Sequence, residues 1–140
     1  MKLEIKFRHL NSLLTWLKSL SLAGRESRER TRFIEVCLPY IKQVEEKRFT
    51  LIKENCELNE KGEPQIKDEK FLFKEGGQDK SNRDWNAFLD TSYTDIDIKE
   101  GNHAKVKTVR DLVLNTDQKF EGKLAEDYDK WAEVFEKLEL

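Results

Sequence analysis

SRERTRFIEVCLPYIKQVEEKRFTLIKENC, residues 27–56, is the longest stretch of a single periodicity in the chain. Ile34, Cys37, Ile41, Val44 and Leu51 recur at alternating three- and four-residue steps, with Arg48 the one polar intruder. That spacing lays an apolar stripe along a helix facing a core or a partner helix. Pro39 falls inside the stretch, where it removes a backbone donor and crowds the preceding turn. The expectation is a kink there, or two helices abutting at Leu38 and Pro39. Cys37 and Cys56 sit 19 residues apart on this helix. Their axial separation of ~28 Å exceeds the reach of a disulfide several times over. Both are read as reduced, structural cysteines.

Working towards the N-terminus, Lys2 to Phe7 alternates with period two and predicts a strand with Leu3, Ile5 and Phe7 on its buried face. Asn11 then caps a short helix whose Leu10, Leu13, Leu14, Leu17 and Leu20 form one stripe. Gly24 stands where that helix should stop.

Working towards the C-terminus, Asn59, Gly62, Pro64, Gly76 and Gly77 punctuate residues 57–80, and Gln65–Phe73 supplies short strands for an exposed hairpin. Ser81–Leu89 reads as a helix through Trp85, Phe88 and Leu89, and Tyr93–Ile98 alternates as a second strand. Val106, Val109 and Val113 line a helix beginning near Asn102. Leu124, Tyr128, Trp131, Phe135 and Leu138 line the last one, with Gly122 between the two. The fold class expected is α+β and mostly helical: a long kinked central helix and C-terminal helices packed on a small sheet joining Lys2–Phe7 to Thr94–Ile98. With no repeat or linker, residues 1–140 read as one domain.

The composition sets the outer limits. Of 140 residues 39% are charged, well above the globular norm, yet 10% are aromatic, too many for a disordered polyelectrolyte. Net charge is only −2, but it is unevenly placed. Residues 1–34 carry eight Lys/Arg against three Asp/Glu, and the remainder carries eighteen against twenty-five. A basic N-terminal quarter can touch an anionic partner, whereas an all-over electrostatic coat for DNA is excluded. No run approaches the ~18 apolar residues of a membrane span. The opening MKLEIKFRHLNSLLTWLKSLSLAG is broken by Lys18, carries Glu4 and repeats Leu at helical spacing, so it does not read as a secretory leader and the protein is expected to be cytoplasmic.

Signatures of chemistry are few. His9 and His103 lie in no HExxH, HxH or CxxC context, so zinc spacing is missing and both read as surface or capping residues. There is no phosphate-binding GxxxxGK[ST] or GxGxxG, and Gly76-Gly77 reads as a turn without a helix behind it. GxSxG is missing too. Asp95 and Asp97 share one strand face at a spacing that suits a cation, but Lys99 stands where a further calcium ligand would be and Val106 at the twelfth position. Glu126, Asp127 and Asp129 read as ordinary helix-surface charge. No cofactor, no metal and no enzymatic activity are expected.

The Arg-rich helix start carries more. Arg25, Arg28 and Arg32 fall on roughly one side of a helix, with Arg30 pointing elsewhere. Guanidinium forks suit carboxylate and phosphate. Three uses stay open: a solvated or internally ion-paired helix start, an anionic protein partner, and nucleic acid. Interleaved Glu26 and Glu29, and the want of stacking aromatics, argue against the last. Trp16 and Leu22 lie off the Leu stripe, either as core or as an exposed patch for a partner. The residues singled out for partner binding are Arg25, Arg28, Arg32 and Trp16.

The order of these features — KLEIKF, a Leu-rich helix, AGRESRERTRF, VEEKRFTLIKE, NEKGEPQIK and a final AEDYDKWAEVFEKL — resembles a family of small uncharacterised proteins encoded by phages and prophages of Gram-positive bacteria. The resemblance implies a phage-encoded accessory protein in the cytoplasm of an infected or lysogenic host. Such a protein works by binding a protein partner, for example by inhibiting a host defence. Alternatives are a virion or tail-assembly component, self-associating into a homo-oligomer, or a nucleic-acid binder through the basic region. No membrane partner is implied.

Overall fold

The computed structural model describes residues 1–99 and 101–140. In order the elements are β1 (Lys2–Leu3), α1 (Phe7–Ser19), α2 (Gly24–Asn55), β2 (Ile66–Lys67), β3 (Lys70–Phe71), α3 (Gly77–Thr91), β4 (Ile96–Asp97), α4 (His103–Asn115) and α5 (Gly122–Glu136). The class is α+β and mostly helical, as the periodicities imply.

β1 pairs antiparallel with β4 through Lys2↔Asp97 and Leu3↔Ile96, and a single bridge, Lys6↔Tyr93, continues the line. The two expected strands therefore meet, but the regular ladder is shorter than the alternation predicts. Thr94 explains why. Its hydroxyl donates to the Leu3 carbonyl at 2.8 Å and accepts the Ile5 amide at 2.9 Å, replacing ladder bonds with side-chain ones. Phe7 is already helical, so α1 begins four residues before Asn11, which does not cap it. Starting there adds Phe7 to the stripe of Leu10, Leu13, Leu14 and Leu17, all buried.

Gly24 opens α2 instead of closing α1. The carbonyls at the end of α1 need no glycine turn, because Arg30 reaches across from α2 and donates to Leu17 O at 2.9 Å and to Leu20 O. α2 runs unbroken from Gly24 to Asn55 with Pro39 inside it, so two helices abutting at Leu38 and Pro39 are not what forms.

The chain divides into two compact units, Met1–Ile41 with Tyr93–Leu140, and Lys42–Ser92, where one domain was the expectation. The first unit holds the large core. Leu3, Ile5, Leu10, Leu13, Leu17, Phe33, Cys37, Ile96, Ile98, Val106, Val109, Val113, Trp131 and Phe135 are all buried in one cluster. Leu124, assigned to the α5 stripe by spacing, is exposed. The residues that turn inward on α5 are Asp127, Trp131 and Phe135, four apart.

The second unit buries Leu51, Ile52 and Cys56 at the end of α2. Arg48 lies over the Trp85 ring at 5.3 Å, and Trp85 stacks on Phe88 at 6.0 Å. Gly76-Gly77 is a correction: helix α3 does follow it. A Cβ on Gly77 would stand 2.3 Å from the Asn55 carbonyl oxygen, so only glycine lets α3 start against the end of α2. The expected hairpin is present as β2–β3, in register Ile66↔Phe71 and Lys67↔Lys70. Cys37 and Cys56 are free and buried. Burial pushes the Cys37 thiol up to about 12, leaving no reactive thiolate there.

Candidate functional site

The first turns of α2 sort the four arginines. Arg30 is absorbed by the fold, bonded to Leu17 and Leu20 carbonyls and to Ser27 Oγ at 3.2 Å. Arg25, Arg28 and Arg32 are exposed. Arg32 meets Glu29 one turn back at 3.9 Å, a distance worth little in water. Among the described residues Arg25 and Arg28 have no ion-pair partner, so pairing with the acidic C-terminal part within the chain does not occur. The sidedness read from the spacing holds: the apolar residues of the same turns, Phe33 and Cys37, point into the core.

Trp16 does not belong with them. It is 4% exposed and sits inside the core, 5.6 Å from Trp131 and 6.1 Å from Phe120, with its indole N–H donating to Gln118 Oε1 at 3.0 Å. Leu22 is half-buried. Trp16 and Leu22 therefore form no exposed patch, contrary to that expectation. The cover over Trp16 comes from residues a hundred positions later, which no local periodicity announces.

Asp95 and Asp97 share a cation, but it is Lys2: its Nζ lies 3.7 Å from Asp95 and 3.8 Å from Asp97. The Lys99 amide donates to Asp97 at 2.9 Å and, with Lys2 adding to it, holds that carboxyl below the usual range. Glu100, part of the calcium-loop comparison, lies outside the described residues. Among the described residues no group of three or more His, Cys, Asp or Glu could hold a metal ion.

His9 and Asp127 are the pair that sequence reasoning missed. Asp127 is buried, not surface charge, and its Oδ1 lies 3.5 Å from Nδ1 of His9. The distance is an ion-pair one, too long for a full hydrogen bond, and Nδ1 has no other partner. The His9 backbone carbonyl takes the Trp131 indole N–H at 3.0 Å, so α1 and α5 meet at this residue through its backbone as well as its ring. Burial lowers the basicity of the imidazole; Asp127 opposes that shift and Lys6 and Arg8 reinforce it. The four-residue step Asp127, Trp131, Phe135 is the signal that could have found this aspartate.

The pair lines a cleft of about 570 Å³ with Arg8, Lys123, Asp129 and Lys130. An imidazole backed by a carboxylate can move a proton. The lining offers it no serine, threonine or cysteine to activate, and the lysines and arginine are balanced by Glu126, Asp127 and Asp129. The cleft thus has an acid–base pair without a nucleophile and without a net field for a charged substrate.

The candidate site is accordingly the arginine face of α2, positioned by Phe33, Cys37 and Arg30. No protein-family model, curated protein or solved structure matches this chain.

Proposed function

We propose that this chain is a non-enzymatic binding protein whose Arg25, Arg28 and Arg32 hold an acidic surface of a protein partner. One observation carries the reading: of four arginines at the start of α2 the fold uses one, and leaves three exposed on a single face. Of the three, Arg25 lies in the first turn, where a cation opposes the macrodipole by ~0.3–1 kcal/mol, and the acid of that turn, Glu26, favours the same helix end; among the described residues Arg25 and Arg28 have no ion pair. Residues that break a local rule without an internal gain are where function is to be sought. A carboxylate from a partner would be favoured by the guanidiniums and by the helix start together. Trp16, being buried, takes no part. The phage-encoded accessory role in a bacterial cytoplasm, for example against a host defence, is proposed on the order of sequence features alone.

A tagged pull-down from bacterial lysate, with and without nuclease, tests this. The expected result is a single stoichiometric protein that survives nuclease. It should be lost with Arg25→Glu/Arg28→Glu/Arg32→Glu and kept in large part with lysine at the same positions, both variants retaining the wild-type far-UV circular dichroism spectrum. Capture that survives the glutamate variant overturns the assignment of the surface. Loss of everything with nuclease, with an affinity falling steeply in salt, replaces it with nucleic-acid binding.

A further inference from the structure

Helix α5 carries the counterpart of the arginine face. Successive residues of a helix step by ~100°. Arg25, Arg28 and Arg32 therefore gather within ~60° of one another, on the side of α2 turned away from buried Phe33 and Cys37. Glu126, Asp129, Glu133 and Glu136 gather within ~80° on the side of α5 turned away from buried Trp131 and Phe135. All seven are exposed. The spacings agree: three and four residues along α2, three, four and three along α5, or ~10 Å against ~15 Å of helix.

Each stripe also has a flank of the opposite sign, placed in the same rotational sense. Glu26 and Glu29 run beside the arginines; Lys123, Lys130 and Lys137 run beside the acids. Two helices laid face to face antiparallel set arginine against acid and bring the glutamate and lysine flanks to the same side, whereas a parallel pairing carries the two flanks to opposite sides. Within the chain these charges are little used. Among the described residues only Arg32–Glu29 at 3.9 Å and Lys130–Glu133 at 3.5 Å pair charges of these stripes. Among the described residues Arg25, Arg28, Glu126, Asp129 and Glu136 have no ion pair.

We propose that the acidic partner is a second copy of this chain, with the arginine face of α2 in one copy docking antiparallel on the acidic face of α5 in the other. This rests on the reading that the arginine face binds protein. Both halves of the contact lie on one chain, and the net charge of −2 puts little long-range repulsion between copies. The contact is heterologous, so it closes into a symmetric pair when made twice and propagates when made once. It is polar throughout, and salt weakens it.

Sedimentation velocity on the purified full chain over a range of concentrations is the test. At low salt the weight-average mass should rise above that of a single chain, and at ~1 M salt, where the screening length is ~3 Å, it should fall back. Arg25→Glu/Arg28→Glu/Arg32→Glu and Glu126→Lys/Asp129→Lys/Glu136→Lys should each remain single chains, and mixing the two should restore the complex. If a triple variant loses its circular dichroism spectrum, the doubles at 25/28 and 126/129 serve in its place. Wild-type chains that stay single at every concentration overturn the proposal and leave a foreign acidic partner standing. Association that survives arginine reversal, or a mixture that fails to reassemble, overturns it as well. Survival of arginine reversal also removes the arginine face as the binding surface.

Discussion

His9 is held from both ends. Its carbonyl accepts the Trp131 indole, and its ring, 17% exposed, faces an Asp127 carboxylate that is itself 10% exposed. Burial holds the imidazole below its ordinary value of about 6.5. The consequence for stability has a definite sign. Above pH ~6.5 the ring is neutral in both folded and unfolded chains and contributes no pH dependence. As the pH falls through ~6.5 the unfolded chain takes the proton first, so stability is lost until the folded-state value is reached. Urea midpoints measured at about pH 7.5 and about pH 5.5 should show a loss at the lower pH, above the range where ordinary carboxylates titrate. His9→Gln should flatten that loss. A wild-type midpoint that rises on acidification would mean that Asp127 outweighs burial. Spacing marks Asp127 as sharing the face of Trp131 and Phe135, but it announces neither the His9 that meets it nor the burial of Trp16. Helical periodicity tells which residues share a face, but not which second element comes to cover a face that looks free.

The β2–β3 hairpin carries strain that is visible in its backbone. Asp68 and Glu69, the two residues of its turn, have φ of 52° and 64°. Both lie in the left-handed region that a right-twisted two-residue hairpin demands and that Asn-Gly ordinarily fills. The lysines at its base are placed directly opposite one another, Lys67 against Lys70, which repels. Glu69→Gly removes a side chain from a position costing ~1–2 kcal/mol, offset by the greater freedom glycine has when unfolded. The net expected gain is ~0.5–1 kcal/mol, seen as a rise of about 2 °C in thermal midpoint. A fall would show that the glutamate makes a contact worth more than the strain. At this scale the sequence is readable where the pattern is local: the hairpin, the stripes of α1 and α4, and the alternation that marks the first and last strands. It is not readable where one element finishes another. Gly24 looks like the end of α1 until Arg30 of α2 supplies the cap, and Phe7 looks like strand until the apolar stripe of α1 extends back to include it.

The two units differ greatly in what they bury. The unit of Met1–Ile41 and Tyr93–Leu140 closes on a cluster spanning α1, α2, β1, β4, α4 and α5. In Lys42–Ser92 the buried apolar side chains are Leu51, Ile52 and Cys56, while Leu58, Ile66 and Phe71 stand exposed, Ile66 at 65%. The apolar area removed from water scales the free energy of local opening, so the two units should not open together. Hydrogen exchange should find β2–β3 amides fastest, α3 intermediate, and Leu13, Leu14, Leu17, Val109 and Val113 slowest. The sharpest prediction concerns α2, which belongs to both. Its protection should drop within the helix, close to the division between Ile41 and Lys42, where Pro39 has already removed the backbone donor that the Glu35 carbonyl would use. Protection that stays uniform along α2, with α3 amides as slow as those of α1, would instead mean that the chain unfolds as the one cooperative domain its length and composition suggest. In that case the sparse burial of residues 42–92 would not decide their stability.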